Sequence, residues 1–373
     1  MAETRDPWYV VRGAETIATP ALLVYRERLE RNIRTAIGIA GGPGRLRPHV
    51  KTHKSSRVVE LMRAAGIDRF KCATVAEAEM LARARASDVM LSYPLVGENV
   101  HRFARLCAAY PASSFSTIAD SIEGALSLSH ALMGTGVTAG VLLDVDVGMH
   151  RTGVARGEAA VSLYRKLASL GGLRPLGLHC YDGHNHERDL AARTRVAASC
   201  YDTARSLKSE LEQEGLDVPL LVMGGTPSFP CYAAYPEVEL SPGTCFFHDW
   251  GYQRECPDLP FEPAALVLSR VVSKPGPGQL TVDCGHKAIA PDQPGERGLP
   301  LNLVGARSVM QSEEHWVLAS PEADSLRIGA ELYILPTHIC PTFAQHKEFR
   351  VVDASGRCGE IWQVTARDRS IGI

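Results

Sequence analysis

The feature that most limits what this chain can fold into is its rhythm. From residue 19 onward, short apolar runs alternate with longer stretches whose apolar residues recur at helical spacing. Residues 21–25, 45–51, 69–73, 89–92, 115–119, 141–146, 174–180 and 220–223 read as strands. Between them, residues 29–40, 57–65, 75–85, 100–109, 159–170 and 190–214 read as amphipathic helices, the second stopped by Gly66. Strands and helices in strict alternation bury both sheet faces only when the strands run parallel under a layer of helices. About eight such repeats in roughly 200–250 residues suit a closed (β/α)8 TIM-type barrel. An open doubly wound sheet is the second reading, weakened because no Gly-x-Gly-x-x-Gly follows an early strand.

Beyond Trp250 the helical period fades, Pro and Gly become frequent, and residues 265–272, 279–283, 308–310, 315–318, 331–335, 348–353 and 361–366 read as strands. The expected fold is therefore α/β: a barrel over residues 18–250 followed by a β-rich domain over 251–373. Residues 1–17, with Trp8-Tyr9-Val10-Val11 as a strand, are expected to join the β domain. A chain of 373 residues has room for both. A formal charge of −2 offers no basic field for nucleic acid. The apolar runs, such as 140–147, are too short to span a membrane, and the amino terminus lacks a basic region followed by an apolar stretch and a cleavage site, so a cytoplasmic protein is expected. Ten cysteines are scattered without a CxxC pair, which points to reduced thiols; Cys72, Cys107, Cys180 and Cys284 lie in apolar surroundings as small hydrophobes.

Four segments carry residues suited to chemistry. In Arg47-Pro48-His49-Val50-Lys51-Thr52-His53-Lys54 a strand end passes into a helix, and strand ends are where α/β proteins bind ligands. Like charge from Arg47, His49, His53 and Lys54 would disfavour the ammonium form of Lys51, making it a candidate to attack a carbonyl; a solvated basic turn accounts for the same residues equally well. Gly224-Gly225-Thr226-Pro227-Ser228 follows a strand and could cradle a phosphate with amides and hydroxyls, or be a plain loop. His179, Tyr181, His184 and His186 stand at and just beyond the end of the strand at 174–180, where a cluster of three imidazoles suits proton transfer or metal ligation, although a lone histidine is more often structural. His338 and Cys340 sit two apart, so an extended backbone would turn both toward one cation, although two ligands make a weak signal.

The Arg-Pro-His-x-Lys-Thr-His-Lys segment resembles the cofactor-lysine segment of the D-threonine aldolase and D-serine dehydratase family, pyridoxal-phosphate enzymes of the alanine-racemase fold. Thr19-Pro20-Ala21-Leu22-Leu23 before it and Thr74-Val75-Ala76-Glu77-Ala78-Glu79 after it match in the family's order. The resemblance implies that Lys51 holds pyridoxal 5'-phosphate, with His49, Arg151 and Tyr181 around it and Tyr181 packed on its ring. It also implies that Gly225, Thr226, Gly243 and Thr244 take the phosphate, and that His184 or His186 is the catalytic histidine. His338 and Cys340 would bind a divalent metal (zinc, manganese or magnesium); the thiolate favours zinc. Asp283 to Ala288 and Ser312 to His315 match as well and need only a structural explanation.

The implied reaction is a metal-assisted lyase step on a small D-3-hydroxy amino acid, of D-threonine aldolase type, releasing glycine and an aldehyde. In the family His-x-Cys goes with zinc-dependent dehydratases and His-x-Asp with aldolases, so a D-serine or 3-hydroxy-D-aspartate dehydratase is the second expectation. A racemase and a non-catalytic cofactor carrier follow. The family also implies a homodimer with shared active sites, and no nucleic-acid or membrane partner.

Overall fold

The computed structural model describes residues 7–373, which form two compact units: the described residues up to Thr35 with Thr244–Arg367, and Ala36–Gly243 with Asp368–Ile373. The first strand, β1 (Ala21–Tyr25), leads into helix α1 (Arg26–Ala40), whose buried Leu29, Ile33, Ala36 and Ala40 recur at helical spacing.

In the unit formed by Ala36–Gly243, the parallel strands β2 (Arg69–Cys72), β3 (Asp88–Leu91), β4 (Ser114–Ala119), β5 (Ala139–Asp146), β7 (Leu173–Cys180), β8 (Leu220–Met223) and β9 (Val238–Leu240) pair in that order, and the two-residue β6 (Val154–Ala155) adds to β5. The ring closes through residues 46–49. Leu46 bridges Leu240 of β9 and His49 bridges Lys71 of β2, with backbone bonds Arg47 N to Leu240 O, His49 N to Pro242 O and Lys71 N to Pro48 O, each 2.8 Å. Eight staves result, and closure rules out the open sheet. Met90, Ile118, Leu142 and Val222 fill the lumen from four strands, the packed interior such barrels require.

Arg47 locks the seam. Its buried guanidinium takes Glu239 Oε2 at 2.7 Å and both Asp88 oxygens at 2.6 and 3.0 Å, which ties the closing stave to β9 and β3. Two carboxylates hold its pKa above the ordinary arginine value despite burial, which acts the other way.

Helices α2 (Ser56–Ala64), α3 (Val75–Arg83), α4 (Glu98–Ala109), α5 (Ile122–Thr135), α6 (Glu158–Ser169), α7 (Leu190–Gln213) and the short α8 (Phe229–Tyr232) separate the strands. Thr74 and Glu77 form a reciprocal cap at α3: Glu77 N donates to Thr74 Oγ1, and Ala73 N to Glu77 Oε2. The sequence reading has no counterpart for α5. Past Glu123 its exposed positions are Ser127, His130, Met133, Gly134 and Thr135, so no charged stripe marks the helix, although Ser121 caps it by accepting from Gly124 N.

The other unit carries α9 (Trp250–Glu255), β10 (Ala265–Ser273), β11 (Gln279–Val282), β12 (Gly298–Pro300), β13 (Arg307–Gln311), β14 (Trp316–Ala319), β15 (Glu331–Pro336), α10 (Ile339–Gln345), β16 (Glu348–Val352) and β17 (Cys358–Gln363). Its mixed sheet runs β13-β14-β11-β10-β1-β16-β17, with β15 also on β10 and β12 on β15.

Two expectations are corrected here. Residues 21–25, read as the first barrel strand, lie between β10 (antiparallel) and β16 (parallel) in this sheet. A run buried on both faces reads alike in a barrel wall and in the middle of a mixed sheet. Trp8 and Tyr9 form a turn rather than a strand, with Tyr9 O accepting from Tyr25 OH at 2.6 Å and the segment packing against Tyr25 and Tyr333. Among the described residues no helix is long and apolar enough to cross a membrane, and Cys72, Cys107, Cys180 and Cys284 are buried free thiols.

Candidate active site

Where the closing stave ends, His49 accepts a hydrogen bond at Nδ1 from Lys51 N (3.2 Å) and starts a single 3-10 turn, Val50–Thr52. That turn puts the Lys51 side chain, which is exposed, at the mouth of a cavity of about 530 Å³ at the carboxyl ends of the strands. The walls are His49 and Lys51 from the seam, Lys71 from β2, Arg151 from the loop after β5, and His179 and Tyr181 from β7 and the loop after it. Position in the barrel, rather than any one residue, makes this the ligand end.

The sequence reading attributed like charge around Lys51 to its chain neighbours, and the structure reassigns it. Arg47 is matched by two carboxylates, and Lys54 is paired with the buried Glu77. Burial holds the His49 imidazole well below its ordinary pKa, with Lys51 and Lys71 adding to the effect, and burial lowers His53 to about 3. The cations that share the cavity with Lys51 are Arg151 and Lys71, and sequence reasoning missed Lys71. Burial first, then Lys51, lower its pKa to about 7.

Behind these amines lies a buried acid–imidazole pair. Asp144 accepts from His179 Nδ1 at 2.6 Å and from Thr152 Oγ1 at 2.7 Å. Burial would raise the Asp144 pKa, but the His179 ring and the Thr152 hydroxyl outweigh it and keep the carboxylate ionised. Burial lowers the His179 pKa more than Asp144 raises it. The ring is therefore neutral with its proton on Nδ1, and its buried Nε2 is left as an acceptor without a protein partner.

Tyr181 forms an aromatic plate. Arg151 stands over its ring with the guanidinium carbon 4.9 Å from the centroid, and Lys71 Nζ is 5.6 Å from the same point. Gly183 and Gly225 leave room for that ring: a Cβ at 183 would lie 2.3 Å from Tyr181 Cε1, and one at 225 would lie 3.1 Å from Cε2. Asp182 joins the loop after β7 to the loop after β8, accepting from Ser228 Oγ and Tyr232 OH, each at 2.8 Å. Ser228 Oγ in turn accepts from Gly225 N at 3.1 Å, and Thr226 Oγ1 accepts from Gly243 N at 3.3 Å. The Gly225, Thr226 and Gly243 backbone is thus held in one hydrogen-bonded assembly. Thr244 falls in the other unit, where its hydroxyl is 3.3 Å from Cys340 Sγ. A flat ring, a reachable amine, three cations and a glycine loop suit a planar, anionic, aldehyde-bearing ligand such as pyridoxal phosphate.

His184 and His186 are exposed on the turn after β7 and do not line the cavity; the His184 ring lies over Gly148. The histidines facing the cavity are His49 and His179. In the other unit, His338 caps α10 and Cys340 lies in its first turn, so the pair occupies a helix start, not the extended segment expected. The strand β15 ends at Pro336, and α10 begins at once. The two side chains still meet: the sulfur of Cys340 and the carboxylate of Asp292 together raise the His338 pKa to about 9 against the effect of burial. His338 Nδ1 bonds Asp292 Oδ2 at 2.6 Å, the carboxylate–imidazole arrangement often found behind a metal-binding ring. An imidazole and a thiol are donors of the kind a soft divalent ion takes, while no group of three or more His, Cys, Asp or Glu that could hold a metal occurs among the described residues.

Comparison with known proteins agrees with this geometry. Residues 24–249 match the alanine racemase N-terminal domain, and residues 264–352 match the putative serine dehydratase domain. The chain is 29% identical to a D-threonine aldolase of an Arthrobacter species over 94% of its own length and 93% of the relative's. It is 28% identical to a D-threo-3-hydroxyaspartate dehydratase of Delftia sp. (strain HT23), covering 91% and 96%. The solved structure of D-threonine aldolase from Filomicrobium marinum superposes with a TM-score of 0.88 at 33% identity, covering 97% of this chain and 99% of that one. With the racemase-type barrel, the dehydratase-type β domain and full-length relatives of both names, the chain belongs to the D-threonine aldolase and D-serine dehydratase family of alanine-racemase-like, pyridoxal-phosphate-dependent lyases.

Proposed function

We propose that the protein is a pyridoxal-phosphate- and divalent-metal-dependent lyase that cleaves D-3-hydroxy amino acids, of D-threonine aldolase type. The observation that carries this reading is the exposed amine of Lys51 at the barrel seam, opening on a cavity walled by Tyr181 and Arg151. Bound pyridoxal phosphate supplies an electron sink for charge developing at the substrate α-carbon. Lys51 would tether it, the Tyr181 ring would lie beside it, and Arg151 would add positive charge at the same wall. Gly225, Thr226 and Gly243, with Thr244 in the next turn, are our candidates to take its phosphate, which would compete with Ser228 and Thr226 for the Gly225 and Gly243 amides. His49, neutral and buried, keeps the Lys51 turn in place through its bond to Lys51 N. Asp144 fixes the His179 tautomer and so presents an acceptor nitrogen to whatever fills the lumen.

His338 and Cys340 would hold the metal, which polarises a substrate hydroxyl when bound. His184 and His186 are our candidates to take the hydroxyl proton, because their turn follows directly on Tyr181. A second reading, a zinc-dependent D-serine or 3-hydroxy-D-aspartate dehydratase, is favoured by one residue: Cys340 stands where the family's aldolases carry an aspartate. A homodimer with shared active sites in the cytoplasm completes the proposal, and its solution mass is the check.

The deciding assay incubates the purified protein, loaded with pyridoxal phosphate and Zn²⁺ or Mn²⁺, with D-threonine and D-serine, with and without chelator. Glycine and acetaldehyde from D-threonine, abolished by chelation, are expected. A 2-oxo acid and ammonia would transfer the assignment to the dehydratase, while loss of chirality indifferent to chelator would overturn both.

A further inference from the structure

A second lysine shares the cavity, and none of the chemistry above uses it. Lys71 is 3% exposed, bridged through its backbone to His49 at the seam, and its side chain lines the cavity with Lys51. Phe70 and Cys72 on either side are buried, and on a strand their side chains alternate with Lys71, which points into the lumen. No hydrogen bond or ion pair reaches its amine from the described residues. The charged groups around it are Lys51 on the seam turn, Asp144 on β5, Arg151 on the loop beyond, and Arg47 on the closing stave; the neutral His49 and His179 rings also face it, and Asp120, after β4, lines the same cavity with its carboxylate accepting from Gly153 N at 3.0 Å. Asp144 is already committed to His179 and Thr152, and Arg47 to Asp88 and Glu239.

The wall therefore holds more cation than anion. A buried amine in that position either sheds its proton or waits for a negative ligand. A purely structural lysine would carry a counter-ion, and a solvated one would be exposed; Lys71 is neither.

We propose that Lys71 is a cofactor-site residue whose amine supplies positive charge to an anionic oxygen of pyridoxal phosphate held at Lys51, and thereby sets the protonation state of the bound cofactor. This rests on the reading of Lys51 given above. Its pKa, lowered to about 7, lets the amine be neutral before the anion arrives and take up a proton as it binds.

The test is a spectral pH titration of the loaded protein without substrate, comparing wild type with K71M and K71R. Removing the cation favours the protonated cofactor, so the midpoint of the near-visible band should rise by about one pH unit or more in K71M, and the cofactor should dissociate more readily. The permanent charge of K71R should move the midpoint below that of wild type. A K71M protein with wild-type midpoint and cofactor affinity would overturn the proposal, as would an effect confined to KM with an unchanged spectrum, which would give Lys71 to the substrate. Should K71M not fold, K71R is compared with wild type alone, and identical profiles then refute the idea. Wild-type protein that develops no such band, or in which borohydride fixes the cofactor at a residue other than Lys51, defeats the reading of Lys51 instead.

Discussion

The two ends of the barrel treat buried positive charge in opposite ways. At the strand-start end, Arg47 is sealed in and matched by Asp88 and Glu239, with Arg69 sharing the latter. Four residues on, at the strand-finish end, Lys51, Lys71 and Arg151 share a wall where the carboxylates are fewer and already engaged, Asp120 by Gly153 N and Asp144, behind the wall, by His179 and Thr152. Carboxylates thus accompany cations where only closure of the ring is at stake, and are withheld where a ligand must bring the negative charge. Buried polar groups left unmatched are more informative about function than matched ones.

Exchanging the roles of the two ends gives the largest effects. K51A should reduce lyase activity to background and abolish borohydride trapping of the cofactor, while urea unfolding of the apoprotein shifts by less than about 0.5 kcal/mol because the side chain is exposed. R47M should do the reverse, costing about 3 kcal/mol by leaving Asp88 without its partner and Glu239 with Arg69 alone, and adding D88N should restore part of the loss. If R47M proves as stable as wild type, the contrast between the ends fails.

A smaller effect is expected from G183A, whose methyl group would displace the Tyr181 ring. Activity should fall about 10²-fold, the scale of a 1 Å misplacement, with the unfolding midpoint nearly unchanged.

Smaller still are the pH dependences of apoprotein stability. The folded Lys71 pKa of about 7 lies below the ordinary 10.5. Between those values the unfolded chain holds a proton that the folded chain has released, so stability should rise with pH across this window, and K71M should flatten the rise. His53, at about 3 against an ordinary 6.5, acts in the same sense at acid pH: its contribution is complete above 6.5 and is lost as pH falls toward 3. Urea titrations at stepped pH measure both slopes.

Much of this was legible in the residues. The alternation of strand and helix predicts the barrel, and the basic segment places Lys51 at its mouth. What escaped did so for physical reasons. Residues 21–25 carry no polar residue to say which sheet they enter. Helix α5 turns Ser127, His130 and Met133 outward where charges would have marked it. Lys71 sits between Phe70 and Cys72, the pattern of a strand with one solvated face, and only closure of the ring converts that face into an interior. His338 and Cys340 have the spacing of an extended pair but meet across the first turn of a helix, because β15 stops at Pro336.

Asp182 gives the site a mechanical property. By clasping both Ser228 and Tyr232, it makes the aromatic plate and the glycine-rich turn a single body, so a push on one is felt by the other. Enlarging the pocket for bulkier substrates by altering either loop alone will therefore disturb ring stacking and anion capture together, and variants of this scaffold are better sought by changing the two loops in concert.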